Sequence, residues 1–135
     1  MDDVNFRDLS RYRIEKAEEK INAAKVLIKQ GMYADAVSRI YYGIFHAARA
    51  MLALKGLDSK KHTGIISLFN QHFVKTGLLP KDFGKIIKSA KDLREESDYN
   101  EFYLVSEKEA EELLKDGTWF IYGIKERMQE ILDKI

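Results

Sequence analysis

The stretch Ala36-Val37-Ser38-Arg39-Ile40-Tyr41-Tyr42-Gly43-Ile44-Phe45-His46-Ala47-Ala48-Arg49-Ala50-Met51-Leu52-Ala53-Leu54 decides how the rest of the chain reads. Nineteen residues pass without a carboxylate, and their only basic side chains are Arg39, His46 and Arg49. At about 100° per residue, Val37, Tyr41, Ile44, Ala48 and Met51 share one face of a helix. Arg39, Tyr42, His46 and Arg49 fall within roughly 80° of one another on the opposite side. Gly43, Ala47 and Ala50 form a third strip of small side chains. A helix that is apolar nearly all round is either central or sandwiched between its own bundle and another chain. The small strip suits close approach by a second helix. We therefore expect a homodimer with this helix near the interface, so that a large charged side chain at Ala47 or Ala50 would dissociate it.

Working outward, the neighbouring segments repeat the three- and four-residue apolar steps of amphipathic helices. The first helix is expected from about Phe6 to Gln30, with Ile14, Ala17, Ile21, Ala24 and Ile28 inward and Gly31 as its stop. The second runs from about Tyr33 to Leu54 and stops at Gly56. A shorter helix follows, about Thr63 to Lys75, with Ile65, Ile66, Leu68, Phe69 and Phe73 inward and Gly77 as its stop. Pro80 suits the first turn of the next helix, where its missing N–H costs nothing. Phe83, Ile86, Ile87, Ala90 and Leu93 form that helix's stripe. Asn100 to Val105 is a connection, and Ser106 with Glu109 makes a capping box that opens the last helix. Gly117 lies on that helix's apolar stripe, which implies a close neighbour. No run alternates as a strand would. The expected fold is all-α: one domain over residues 1–135, an up-and-down antiparallel bundle of four long helices plus one short one.

Composition narrows the function. The 135 residues contain no cysteine, which excludes a disulfide scaffold, a thiol nucleophile and thiolate metal sites. His46, His62 and His72 have no helical metal-ligand spacing, and the glutamates do not form Glu-x-x-His pairs, so neither a metal nor a cofactor is expected. No glycine-rich phosphate loop is present. The longest uncharged apolar run, Ile40 to Ala48 with His46 neutral, is far too short to span a membrane. The acidic start Met1-Asp2-Asp3-Val4-Asn5 lacks the apolar core of a signal peptide, so a cytoplasmic location is expected. The net charge of +1 hides an asymmetry: residues 55–94 stand at +6 and residues 95–135 at −7. Either the two segments neutralise each other within one fold, or the basic one faces phosphates or an acidic partner.

The polar residues that break the pattern are the candidate site. Arg94 and Asp98 fall on the same stripe as Phe83, Ile87 and Ala90, where a charge is costly unless it is paired or stays wet. They form either an internal ion pair, alone or with Arg39 or His46, or a wet pocket in which Arg94 awaits a phosphate. Lys60, Lys61 and His62 precede the short helix, where they suit a cap, an anion or a plain solvated loop. Trp119 reads as packing, and His72 needs no functional explanation.

These segments together resemble a known superfamily. The stretch Asp35–Ala50 looks like the signature of HEPN domains, a name abbreviating "higher eukaryotes and prokaryotes nucleotide-binding". Lys61-His62-Thr63-Gly64, Phe69–Pro80 and Leu93-Arg94-Glu95-Glu96-Ser97-Asp98-Tyr99 follow in the order and spacing of one prokaryotic branch. The resemblance implies a homodimeric helical bundle, often paired with a minimal nucleotidyltransferase as a toxin–antitoxin system or as its substrate-binding partner. Many HEPN proteins are metal-independent ribonucleases that use an arginine followed, after four to six residues, by a histidine. The arginine carries over onto Arg94. The histidine does not, because positions 99 to 101 are Tyr99, Asn100 and Glu101. No group titrating near neutrality stands there for acid–base work, so RNA cleavage is expected to be negligible. The leading expectation is a dimeric module that binds a nucleotide, an RNA phosphate or a nucleotidyltransferase partner through Arg39, Tyr42, His46, Arg94 and Asp98. The alternatives are a diverged ribonuclease toxin using Arg94 with His46 or Tyr99, and a structural dimer without a ligand.

Overall fold

The computed structural model describes the backbone of residues 3–134 and the side chains of residues 6–134; Met1 and Asp2 of the acidic start lie outside it. Five α-helices follow one another: α1 (Asp3–Lys29), α2 (Tyr33–Leu54), α3 (His62–Phe69), α4 (Lys81–Tyr99) and α5 (Glu107–Asp133). A π-helical turn, Asn70–Val74, continues from α3. There is no strand among the described residues. Gly31 and Gly56 adopt positive φ, 76° and 68°, and end α1 and α2 where a side chain would be strained. Ser106 caps α5: its hydroxyl accepts from the Glu109 N–H at 3.0 Å, while Glu109 Oε1 accepts from the Ser106 N–H at 3.1 Å.

The four long helices alternate in direction. Phe6 packs by Gly56, Arg13 donates to the Arg49 carbonyl at 3.1 Å, and Ala17 lies by Gly43, so α1 runs against α2. Gly117 packs by Ile40, and Ser10 touches both the Ala50 carbonyl and Met128, so α5 runs with α2. Phe83 packs by Gly123 and Trp119, while Leu93 and Leu113 flank one pocket, so α4 runs against α5. The result is the expected up-and-down bundle. Its centre is α2, which touches all four other α-helices. Gly117 meets its expected close neighbour: a Cβ there would stand 2.7 Å from Ile40 Cγ2.

Two expectations need correction. The strip Gly43, Ala47, Ala50 is not left for a second chain: α1 covers it, and Ala47 and Ala50 are fully buried. A Gly43 Cβ would meet the Ala17 carbonyl at 3.2 Å, so the small residues serve the α1–α2 contact inside one chain. No surface for a second chain is left along this strip, and a charge at Ala47 or Ala50 attacks the fold instead. The short helix also does not run unbroken to Lys75. It widens at Asn70, whose carbonyl accepts from the Lys75 N–H at 2.8 Å, five residues on. α4 crosses closely there, with Gly84 against Asn70 and Val74, a constraint invisible to local periodicity.

Candidate aromatic–arginine site

Arg94 sits in the last turns of α4 because Phe83, Ile87 and Ala90 pin that helix's inner face to the core. Its guanidinium lies over two rings of α2, 5.2 Å from the centroid of Tyr41 and 5.3 Å from that of Tyr42. Those rings meet edge to face. A guanidinium against aromatic faces keeps its N–H edge free for an oxyanion. Asp98, one turn on, places Oδ2 3.1 Å from Arg94 Nε. The contact is an ion pair without hydrogen-bond alignment, and Nε has no aligned partner. The Arg94 side chain retains 18% exposure and Asp98 38%, so the pair is half-wet.

His62, the first residue of α3, completes the arrangement. The short α2–α3 connection returns the chain onto α2, and the imidazole stacks on Phe45 with centroids 4.1 Å apart. Its Nδ1 and the Tyr41 hydroxyl share a hydrogen bond of 3.1 Å. Burial, then the charges of Arg94 and Arg49, holds the His62 pKa below its ordinary value. Burial pushes the Tyr41 hydroxyl up to about 12. Both groups are therefore neutral at pH 7. His62 also lines a shallow pocket with Phe45, Arg49, Asp58, Ser59 and Lys60. There Asp58 accepts from Arg49 Nη2 at 3.1 and 3.0 Å and from Arg13 Nη2 at 3.4 Å. The two guanidiniums and the Ser59 N–H hold the Asp58 carboxyl below the usual range, against the opposing effect of burial.

The other predicted residues part company. Tyr42 lies under Arg94, as described. His46 is half-buried, and its pKa is lowered by burial and by Lys20, Arg49, Arg13 and Lys16. Its charged surroundings are thus mostly those of α1, not of α4. Arg39 is exposed and belongs to no ion pair among the described residues. Tyr99 ends α4 with its ring largely in solvent, followed by the exposed Phe102 and Leu104. Neither His62 nor Tyr41 is among the expected site residues: Tyr41 reads as core, and His62 as a cap, an anion ligand or a loop residue. The signal available was the four-residue spacing of Tyr41, Phe45 and Arg49, one stripe of α2. Among the described residues no three His, Asp and Glu side chains gather to hold a metal ion, and no helix is long and apolar enough to cross a membrane.

The HEPN domain family matches residues 10–126, almost the whole bundle and all of these side chains. The chain belongs to the HEPN family. Relatives extend over nearly full length. "Putative toxin MJ0605" of Methanocaldococcus jannaschii is 42% identical over 95% of both chains. A UPF0332 protein of Thermotoga maritima is 32% identical over 89% of this chain and 91% of its own. A UPF0332 protein of Archaeoglobus fulgidus is 42% identical over 84% and 90%. In this HEPN chain no histidine follows Arg94 within six residues, and the imidazole bonded to Tyr41 comes from α3.

Proposed function

We propose that this HEPN protein is a toxin-type binding module that takes a nucleotide or RNA phosphate at Arg94, in a system paired with a minimal nucleotidyltransferase. The observation that carries it is the state of Arg94: a guanidinium resting on Tyr41 and Tyr42, partly exposed, without an aligned hydrogen bond. An arginine built only to satisfy Asp98 would be expected to align with it. Toxin-named relatives at 42% and 37% identity support the toxin part of the reading. We assign the protein a homodimeric state in solution, now through the end of α4 and the α4–α5 connection, where Phe102 and Leu104 are 93% and 86% exposed. Sedimentation at micromolar concentration tests the assembly: a species of twice 15.7 kDa is expected, reduced to one chain by Phe102→Ser with Leu104→Ser. Binding of labelled RNA and of uridine monophosphate tests the site. Both are expected to bind the native protein and to be lost in Arg94→Met, while thermal stability holds.

The placement of His62 favours a second reading, a diverged metal-independent ribonuclease. A neutral imidazole can take a proton at a phosphodiester, and Arg94 is near enough to contribute to the lowering of the His62 pKa. RNA cleavage in chelator-containing buffer, abolished by either Arg94→Ala or His62→Gln, would establish it. The binding reading expects no cleavage above buffer.

A further inference from the structure

We infer that the Arg94 site is one end of a two-anchor strip along α2, and that its ligand is a single RNA strand whose successive phosphates engage Arg94 and Arg49. The inference rests on the phosphate-binding reading above and adds the length of the ligand. Tyr41, Phe45 and Arg49 recur every four residues, so they form a stripe that winds about 80° around α2 over about 12 Å at 1.5 Å per residue. Arg94 stands at the Tyr41 end. His62 bridges the interval, bonded to Tyr41 and stacked on Phe45. Arg49 lies at the far end beside Lys60 in the same pocket as His62. A single phosphate does not cover that length, whereas neighbouring nucleotides of one strand do.

Charge favours the same occupant. At the Arg49 end two guanidiniums share one carboxylate, since Asp58 serves both Arg13 and Arg49. Asp58 holds Arg49 at 3.0 Å and the buried Arg13 at 3.4 Å, so one carboxylate faces two guanidiniums and the cluster keeps a surplus positive charge. Arg49 Nε also lacks a hydrogen-bond partner. Of the other carboxylates close by, Glu95 is paired with Lys91 at 2.7 Å, and Asp98 lies against Arg94 without an aligned hydrogen bond. Lys60 and Lys61 flank the strip without an ion pair among the described residues.

The test is a length series of fluorescein-labelled uridylates, one to four nucleotides, followed by fluorescence anisotropy at several salt concentrations. Affinity is expected to rise at least tenfold from one to three nucleotides and then level off. A second phosphate contact should steepen the slope of log K against log salt across the same step. Arg49→Gln is expected to weaken the trinucleotide about tenfold and leave the mononucleotide unchanged. Asp58→Asn keeps the acceptor for the Ser59 N–H and removes the competing charge, so it should tighten the trinucleotide severalfold; it decides the matter if Arg49→Gln does not fold. Equal affinity and slope for one and three nucleotides would overturn the strip while leaving the Arg94 reading intact. Displacement of the trinucleotide by hexaglutamate at equal concentration would overturn it in favour of an acidic protein surface. Failure of every length to bind would sink the strip and the phosphate reading together.

Discussion

Two sides of α2 are built from different residues and have different properties. Towards α1 it presents Gly43, Ala47 and Ala50, which let the backbones approach until α1 and α2 close completely. Ser10 and Arg13 of α1 donate to α2 carbonyls across that seam, so even its polar groups are used up. Towards α3 and the end of α4 it presents Tyr41, Tyr42, Phe45 and Arg49. These large side chains hold the neighbouring backbones away and trap His62 and Arg94 among rings. The small-residue side is saturated and serves stability. The aromatic side leaves the buried Nε groups of Arg94 and Arg49 without aligned partners, and unspent hydrogen-bonding capacity in a folded protein calls for an explanation.

The contrast is most severely broken from the closed side. Ala47→Glu places an unpaired carboxylate in a fully buried seam and should cost more than about 4 kcal/mol, the range of exceptional single substitutions. Chemical denaturation should find the variant unfolded or nearly so. If it folds normally and only loses its dimer, the seam is an interface after all. Next in size, Gly117→Ala on α5 pushes a methyl to within 2.7 Å of the buried Ile40. Overpacking of about 1–3 kcal/mol should outweigh about 1 kcal/mol of helix propensity, leaving a modest net loss in the midpoint of denaturation.

Acid should act on both sides in the same direction. His46, towards α1, and His62, in the site, both have pKa values below 6.5 in the folded chain. A lowered folded value means that unfolding takes up protons, so stability is whole above pH 6.5 and falls as pH drops through the folded values. A Tm that declines from pH 7 to pH 5, with a flatter profile in His46→Gln and in His62→Gln, is the expected outcome. A flat profile in the native protein would contradict it. The smallest stability effect belongs to the open side. Arg94→Met, Asp98→Leu and the double variant should each cost under about 1 kcal/mol, as for a half-wet pair, while Arg94→Met removes RNA binding. A loss of about 3–5 kcal/mol in each single variant, recovered in the double, would assign the pair to structure.

Much of this bundle is determined by the sequence alone. Helix number, the limits of α2, the Ser106 capping box, the glycine stops and the close contact at Gly117 all follow from local periodicity and capping, because each depends on residues only a few positions apart. Arg94 and Asp98 declared themselves for the same reason, as charges on an apolar stripe. Only the tertiary structure decided which helix covers Gly43, Ala47 and Ala50, since a small-residue strip does not encode whether its partner lies in the same chain. Only it placed His62 against Tyr41 and Phe45 and brought Arg94 over the two tyrosines from another helix. Those contacts depend on how α3 and α4 pack on α2, and packing joins side chains 17 to 53 residues apart, which no local pattern specifies.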